Sequence, residues 1–310
     1  HMDAVRIYEV SPRDGLQNEP EVVTADDKLG LIARLVAAGL KDVEVTSFVR
    51  PSWIPQLADA SEVIARLGTI DGAEGVRFWA LVPNRRGLER ALESGITNIC
   101  TFMSASETHN KKNVNRTRAE SLASLRDVVG DAKGAGLGVR GYISTVFGCP
   151  YEGAVPASNT VELAHALLDA GVDELALGDT TGMGDPRMVR EVLGALIDGG
   201  VPVDRIGLHM HDTRGTALVN VLAGYDMGVR TFDGSVAGVG GCPYAPGAAG
   251  NLASDDLVNV FEAMGVDTGV RVPDLAEAGV YLSDVLGREL PGRYHRYHVG
   301  ACRRAAARSA

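Results

Sequence analysis

Hydrophobic and polar positions follow two periods along this chain. Short apolar runs suited to strands recur at VRIYEV (5–10), DVEVTSF (42–48), VRFWALV (76–82) and NICTFMS (98–104). They continue at GVRGYISTVF (138–147), DELALG (173–178), IGLHMH (206–211) and TFDGSVAG (231–238). Between them lie longer amphipathic segments such as ADDKLGLIARLVAAG, SNTVELAHALLDAG and GTALVNVLAGYDMG. Each of these ends in a glycine, the residue suited to the left-handed position just past a helix C-terminus. Eight strands with interleaved helices predict an α/β fold, a (β/α)8 or TIM barrel. An open doubly wound sheet is the competing architecture, but SPRDGLQ follows the first strand where that fold carries its glycine fingerprint. Residues from about 3 to 268 are expected to form the barrel. Residues 269–310 are expected to add C-terminal helices to the same single domain, with the Arg/Ala-rich end ACRRAAARSA frayed.

Composition adds limits rather than a function. Of 310 residues, 45% are hydrophobic and 23% charged, enough for one large core. The net charge of −10 argues against nucleic acid as the main partner. Cys100, Cys149, Cys242 and Cys302 are widely spaced with no CxxC pair, which fits a reduced, intracellular (cytoplasmic) setting. No run is long and apolar enough for a membrane span. The chain enters its first strand pattern without a targeting segment, and His1-Met2 reads as an expression remnant.

In such barrels the site is built at the C-terminal ends of the strands. Unusual polar residues fall there. Arg13 and Asp14 follow the first strand, and Glu44 and Ser47 lie in or just after the second. Tyr142 is in the fifth, Asp179 ends the sixth, His209 and His211 end the seventh, and Cys242 and Asn251 follow the eighth. In HMH the side chains alternate, so the two imidazoles share a face and Met210 points away. Together with Asp14 and Asn251 they form a mixed N/O set without thiolate, suited to Mg²⁺ or Mn²⁺, with Zn²⁺ also possible. Asp14 before Gly15 would equally suit a turn, and Arg13 could pair with Glu44 in the barrel mouth. Cys100 and Cys149 read as packing residues. Lys111, Lys112 and Asn113, with Arg116, read either as a solvated loop or as a seat for phosphates.

The segments SPRDGLQNE, VTSFVRPSWIPQ, GCPYEG, LGDTTGMGDP, HMHDTRG and SVAGVGGCPYAPGAAGN occur in that order between about residues 5 and 268. Together they resemble the 3-hydroxy-3-methylglutaryl-CoA lyase family of metal-dependent barrels, a superfamily that also holds isopropylmalate and homocitrate synthases. The resemblance implies cleavage of 3-hydroxy-3-methylglutaryl-CoA to acetyl-CoA and acetoacetate, as in leucine degradation and ketone-body metabolism. It implies a divalent cation (Mg²⁺ or Mn²⁺) bound by Asp14, His209, His211 and Asn251. Arg13 matches the catalytic arginine and Cys242 the mobile-loop cysteine. Glu44 and Asp179 match polar groups of the pocket, and Gln17, Ser47, Tyr142, Lys111, Lys112 and Asn113 are carried as substrate-binding positions. A homo-oligomer, most simply a dimer, is expected. The synthase relatives lack the cysteine loop, which favours cleavage over condensation. A substrate with a longer C3 branch, a Claisen-type condensing enzyme and a non-enzymatic metal-binding scaffold are the competing readings.

The chemistry follows from the bond to be broken. Cleaving C2–C3 of a tertiary alcohol requires the hydroxyl to lose its proton, C2 to leave as a thioester enolate, and C2 then to be reprotonated. A cation on the hydroxyl lowers its pKa. Arg13 suits the enolate oxygen as a permanent positive donor. A thiol is neutral near pH 7 yet acidic enough to give up a proton, which suits Cys242 on a loop of glycines and prolines. Asp14 and His209 are both open as the base for the hydroxyl.

Overall fold

A computed structural model describes residues 3–310, so His1 and Met2 lie outside the described residues. The eight strands are β1 (Arg6–Glu9), β2 (Asp42–Ser47), β3 (Arg77–Leu81), β4 (Asn98–Ser104), β5 (Gly138–Ser144), β6 (Glu174–Gly178), β7 (Ile206–His209) and β8 (Thr231–Gly234). All neighbours are parallel, and the sheet closes through β1 and β8, with Arg6 opposite Thr231 and Glu9 opposite Gly234. The fold is the (β/α)8 barrel that the alternation of patterns predicts.

Alternation along the strands separates two interiors. Ile7, Val43, Val45, Val139, Ile143, Leu208 and Met210 face outward into the apolar layer beneath the helices. Tyr8, Trp79, Cys100 and Tyr142 face inward. The lumen also holds charge. Arg140, fully buried, makes two hydrogen bonds to Asp233 at 2.8 and 2.6 Å and lies 3.7 Å from the centroid of the Tyr8 ring. Below it Arg6 pairs with Glu174 at 2.6 Å and with Asp42 at 3.2 Å. Buried charges are tolerable here because each has an opposite charge in bonding range.

Around the barrel run α1 (Ala25–Ala38), α2 (Ala60–Ala65), α3 (Arg85–Ser94), α4 (Glu107–Val114), α5 (Arg118–Gly134), α6 (Ala157–Ala170), α7 (Pro186–Asp198), α8 (Ala217–Asp226) and α9 (Ser254–Ala263). Local chemistry sets their ends. Thr24 caps α1 by accepting from the Asp27 amide, and Thr117 with Glu120 forms a capping box on α5. Two helices follow the barrel, α10 (Val272–Leu286) and α11 (Arg293–Ser309).

Three expectations change. The end ACRRAAARSA, expected to fray, is helical to Ser309, as a run of strong helix formers allows. The segment containing Lys111 to Asn113, expected as loop, is helix α4. Ser106 caps it, and the buried Asn110 side chain bonds the Ser104 amide, the Arg116 carbonyl and the Ser121 hydroxyl. The eighth strand stops at Gly234, four residues early. There the chain enters a 3-10 turn (Val236–Gly238) with Ala237 at φ 55°, a left-handed position unusual for alanine. That turn is held from both sides: the Ala237 amide donates to Asp255 Oδ1 at 2.9 Å, and its carbonyl accepts from the Gly292 amide at 2.7 Å.

Burial raises the Asp255 carboxyl to about 7, helped by neighbouring Asp256. An acid whose folded pKa exceeds its unfolded value makes the protein less stable as pH rises between the two. The window runs from the ordinary aspartate value, near 4, up to about 7. Asp255→Asn keeps an acceptor for Ala237 without the charge. The variant is expected to gain melting temperature over the parent between pH 5 and pH 8, by several degrees at the upper end. Parallel melting curves with a pH-independent difference would contradict this.

Candidate functional site

The first polar group of the site is set by a backbone irregularity. After β1 the segment SPRDG (Ser11–Gly15) forms a π-helical turn, in which the Gly15 and Leu16 amides donate to the Val10 and Ser11 carbonyls. Such turns are rare and concentrate at functional sites. Here the turn places Arg13 and Asp14 side by side over the barrel mouth, with Arg13 Nη1 donating to Asp14 Oδ1 at 3.1 Å.

Arg13 is fixed from beneath. Its Nε donates to Glu44 Oε1 at 2.6 Å and its Nη1 also reaches Gln17 Oε1 at 3.1 Å. Glu44 is fully buried and accepts from the Tyr8 and Tyr142 hydroxyls at 2.7 and 2.6 Å as well. Glu44 therefore does not line the cavity; it orients Arg13 and balances its charge.

Asp14, His209 and His211 bring ligand atoms to within 4.8 Å of one another. His209 Nδ1 is bonded to Asp233 Oδ2 at 2.8 Å, which directs Nε2 toward Asp14 Oδ2, 3.4 Å away. Asp233 is in turn clamped by Arg140, so a chain of bonds from the lumen fixes the His209 ring. His211 sits beside His209, ring centroids 5.3 Å apart, and its buried Nδ1 has no partner among the described residues. His211 is joined by an antiparallel bridge to Asn251, which lines the same cavity. Gly240, at φ 106°, permits this approach: a Cβ there would come within 2.8 Å of Asn251 Nδ2.

Electrostatics suit a cation. Burial alone would raise the Asp14 carboxyl, but Arg13 and the two histidines outweigh it and hold the group well below the usual carboxylate range. Burial and then His209 depress His211 to about 4, leaving its imidazole neutral. A partly buried carboxylate, two buried imidazoles and an amide, one imidazole with an orphaned nitrogen, fit a divalent ion.

These groups form one wall of an open cavity of ≈ 1020 Å³. Gln17, Ser47, Tyr142 and Asn113 line it too. Lys111 and Lys112 do not; Lys112 lies 4.8 Å from the Tyr151 ring centroid. Besides Arg13, the arginines that reach the cavity are Arg50, Arg86, Arg90 and Arg116. Of these only Arg116 stands out in the sequence, because Arg86 and Arg90, one turn apart on α3, look like a solvated helix face. Asp179, raised to about 6 by burial, turns away: both its oxygens accept from the Gly184 amide, which closes the loop after β6.

Cys242 stands on a hairpin closed by a Gly241–Ala249 bridge and hung from the His211–Asn251 bridge. Gly241 and Pro243 line the large cavity. The buried Cys242 side chain instead borders a smaller cavity of ≈ 360 Å³, with Cys149, Thr181 and Arg214. Tyr244 touches both cavities and latches the hairpin to α4 through His109 Nε2 at 2.9 Å. Cys100 is fully buried against Tyr8, its sulfur 3.0 Å from the hydroxyl.

Comparison with known proteins places this geometry in a family. The HMGL-like family model matches residues 4–281. The chain is 50% identical over 289 residues to the hydroxymethylglutaryl-CoA lyase of Bacillus subtilis, covering 93% of this chain and 95% of that one. The crystal structure of a B. subtilis HMG-CoA lyase superposes with a TM-score of 0.92 at 49% identity, covering 95% and 98% of the two chains. An HMG-CoA lyase from Acinetobacter baumannii, in complex with coenzyme A and 3-methylmalate, superposes with a TM-score of 0.88 at 37% identity, covering 95% of each chain. On the family match and on these identities, the chain belongs to the HMGL-like family.

Proposed function

We propose that this chain acts as a hydroxymethylglutaryl-CoA lyase, cleaving 3-hydroxy-3-methylglutaryl-CoA to acetyl-CoA and acetoacetate. The observation that carries the proposal is the shared wall: Arg13 is bonded to Asp14, which clusters with His209 and His211, and the Cys242 hairpin borders the same mouth. That arrangement supplies the three functions needed to break C2–C3 of a tertiary alcohol. The identity to lyases from other organisms supports the substrate.

A divalent cation held by Asp14, His209, His211 and Asn251, Mg²⁺ or Mn²⁺ by the hardness of the set, would polarise the C3 hydroxyl as a Lewis acid. Asp14, which would keep one carboxylate oxygen free of the cation, is the group on that wall that can take up the hydroxyl proton, whereas His209, with Nδ1 on Asp233 and Nε2 toward the cation, would serve as a ligand. As the C3–O⁻ pair closes to the ketone of acetoacetate, the C2–C3 pair passes to the thioester as an enolate. Arg13 donates to that enolate oxygen, and Glu44 holds the guanidinium in place so that little reorganisation is needed when the charge appears. Cys242 then protonates C2 to give acetyl-CoA. Its thiol reaches C2 by a swing of the hairpin about Gly240 and Gly241, which turns it from the smaller cavity into the larger. Ser47, Tyr142 and Asn113 contact the acyl-CoA along the cavity, and Gln17 steadies Arg13.

Product analysis tests the reading. Incubation of 3-hydroxy-3-methylglutaryl-CoA with the protein and Mg²⁺ should release acetoacetate and acetyl-CoA in equal amounts. Release of free CoA from acetyl-CoA and a 2-oxoacid, with the glutaryl thioester left intact, would replace it with the condensing reaction. Faster cleavage of a longer-branched analogue would reassign the acyl group.

A further inference from the structure

Beyond the barrel, α10 and α11 bring together three side chains that the lyase reaction does not use. His298 and Cys302 are one turn apart on α11 and so share a face. Glu277, on the facing α10, completes the group. His298 Nε2 is 2.6 Å from Glu277 Oε1 and 3.8 Å from Cys302 Sγ. One oxygen, one nitrogen and one sulfur thus lie within 4.8 Å of one another. From these contacts we infer that Glu277, His298 and Cys302 form a second metal site, for a borderline divalent cation such as Zn²⁺ or Co²⁺.

Geometry and ligand chemistry agree on the kind of ion. With Zn–N about 2.0–2.1 Å, Zn–O similar and Zn–S about 2.3 Å, a tetrahedral centre needs N···O near 3.3 Å and N···S near 3.6 Å, both approximate. The N···S separation is already close to that value. The N···O pair has to open by about 0.7 Å, the change expected when a cation replaces the shared proton. Glu277 is 61% exposed, so its carboxylate is free to make that shift and water can supply the fourth ligand. A thiolate beside an imidazole disfavours Mg²⁺, so Mg²⁺ is left to the thiolate-free N/O set of the barrel. The α11 face is anchored two residues before Tyr297 by His295, which is buried against Gly279 of α10. The two helices therefore hold the ligands in register before any ion arrives.

The test uses the full chain with excess Mg²⁺ in the barrel site, titrated with Co²⁺. A thiolate-to-cobalt charge-transfer band in the near ultraviolet is expected to saturate at one Co²⁺ per chain. Cys302→Ser should remove the band, while His298→Ala and Glu277→Gln should weaken Co²⁺ binding by at least an order of magnitude. Lyase activity with Mg²⁺ should be unchanged in all three, as should the far-ultraviolet helix signal. Zn²⁺ should also slow alkylation of Cys302, read by peptide mapping. Absence of the band in the parent protein would overturn the inference, as would its persistence in Cys302→Ser, which would assign it to another thiol such as Cys242. Binding unaffected by His298→Ala, or equal alkylation of Cys302 with and without Zn²⁺, would leave only a His–Glu ion pair with a nearby thiol.

Discussion

Arg13→Gln is expected to lower kcat by a factor of about 10²–10³, the usual consequence of removing a donor aimed at a developing oxyanion. KM should change far less, because the charge is needed mainly once the enolate forms. The substitution also leaves Glu44 buried without its cation, retaining the two tyrosine hydroxyls and the Cys100 thiol, so some loss of stability is expected as well. Arg13→Lys separates the two effects. It restores a positive charge beside Glu44 and Asp14 and should recover much of the melting temperature. It should recover little of the rate, because an ammonium cannot bond Glu44, Asp14, Gln17 and substrate together from one planar fork. A Gln variant with near-normal kcat and a raised KM would reduce Arg13 to a substrate-binding residue.

Cys242→Ser should nearly abolish cleavage with the fold and metal binding intact. The serine hydroxyl fits the same buried place in the smaller cavity, and the hairpin bridge is made by backbone groups of Gly241 and Ala249. What serine lacks is acidity, so the enolate would form and return to substrate without being protonated. Substrate analogues should pull the hairpin over the larger cavity and change the alkylation rate of Cys242 specifically, since Cys149 shares only the smaller cavity and Cys100 is fully enclosed. Peptide mapping after partial inactivation, together with the turnover of Cys242→Ser, measures this. A serine variant retaining most of its rate would leave the cysteine a packing residue of a lid.

The barrel and the histidine pair were legible because they depend on periodicity. Alternation in HMH put His209 and His211 on one face and Met210 in the apolar layer, and that is where they lie. The Arg13–Glu44 pairing was also accessible, since Arg13 follows β1 and Glu44 lies in the neighbouring β2. The Arg140–Asp233–His209 chain was not, because Arg140 and Asp233 stand 93 residues apart and meet only when the lumen closes. An inward charge in each of two apolar strand patterns was its sole local signal. Helix α4 escaped because its stability lies in the buried bonds of Asn110 rather than in propensity. The direction of Cys242 escaped because a glycine-rich loop fixes possible shapes and not one of them. The residues supporting Arg13 and His209 are thus less visible in sequence than the site they hold in place.

The rate of acetoacetate release as Mg²⁺ is returned to metal-stripped protein tests the metal-assisted cleavage most directly. A cation site proposed on Asp14, His209, His211 and Asn251 predicts no turnover in the stripped protein and a saturable return with added Mg²⁺. His211→Ala should shift that curve to much higher Mg²⁺ concentration. Full turnover in the stripped protein, or an unshifted curve for His211→Ala, would contradict it.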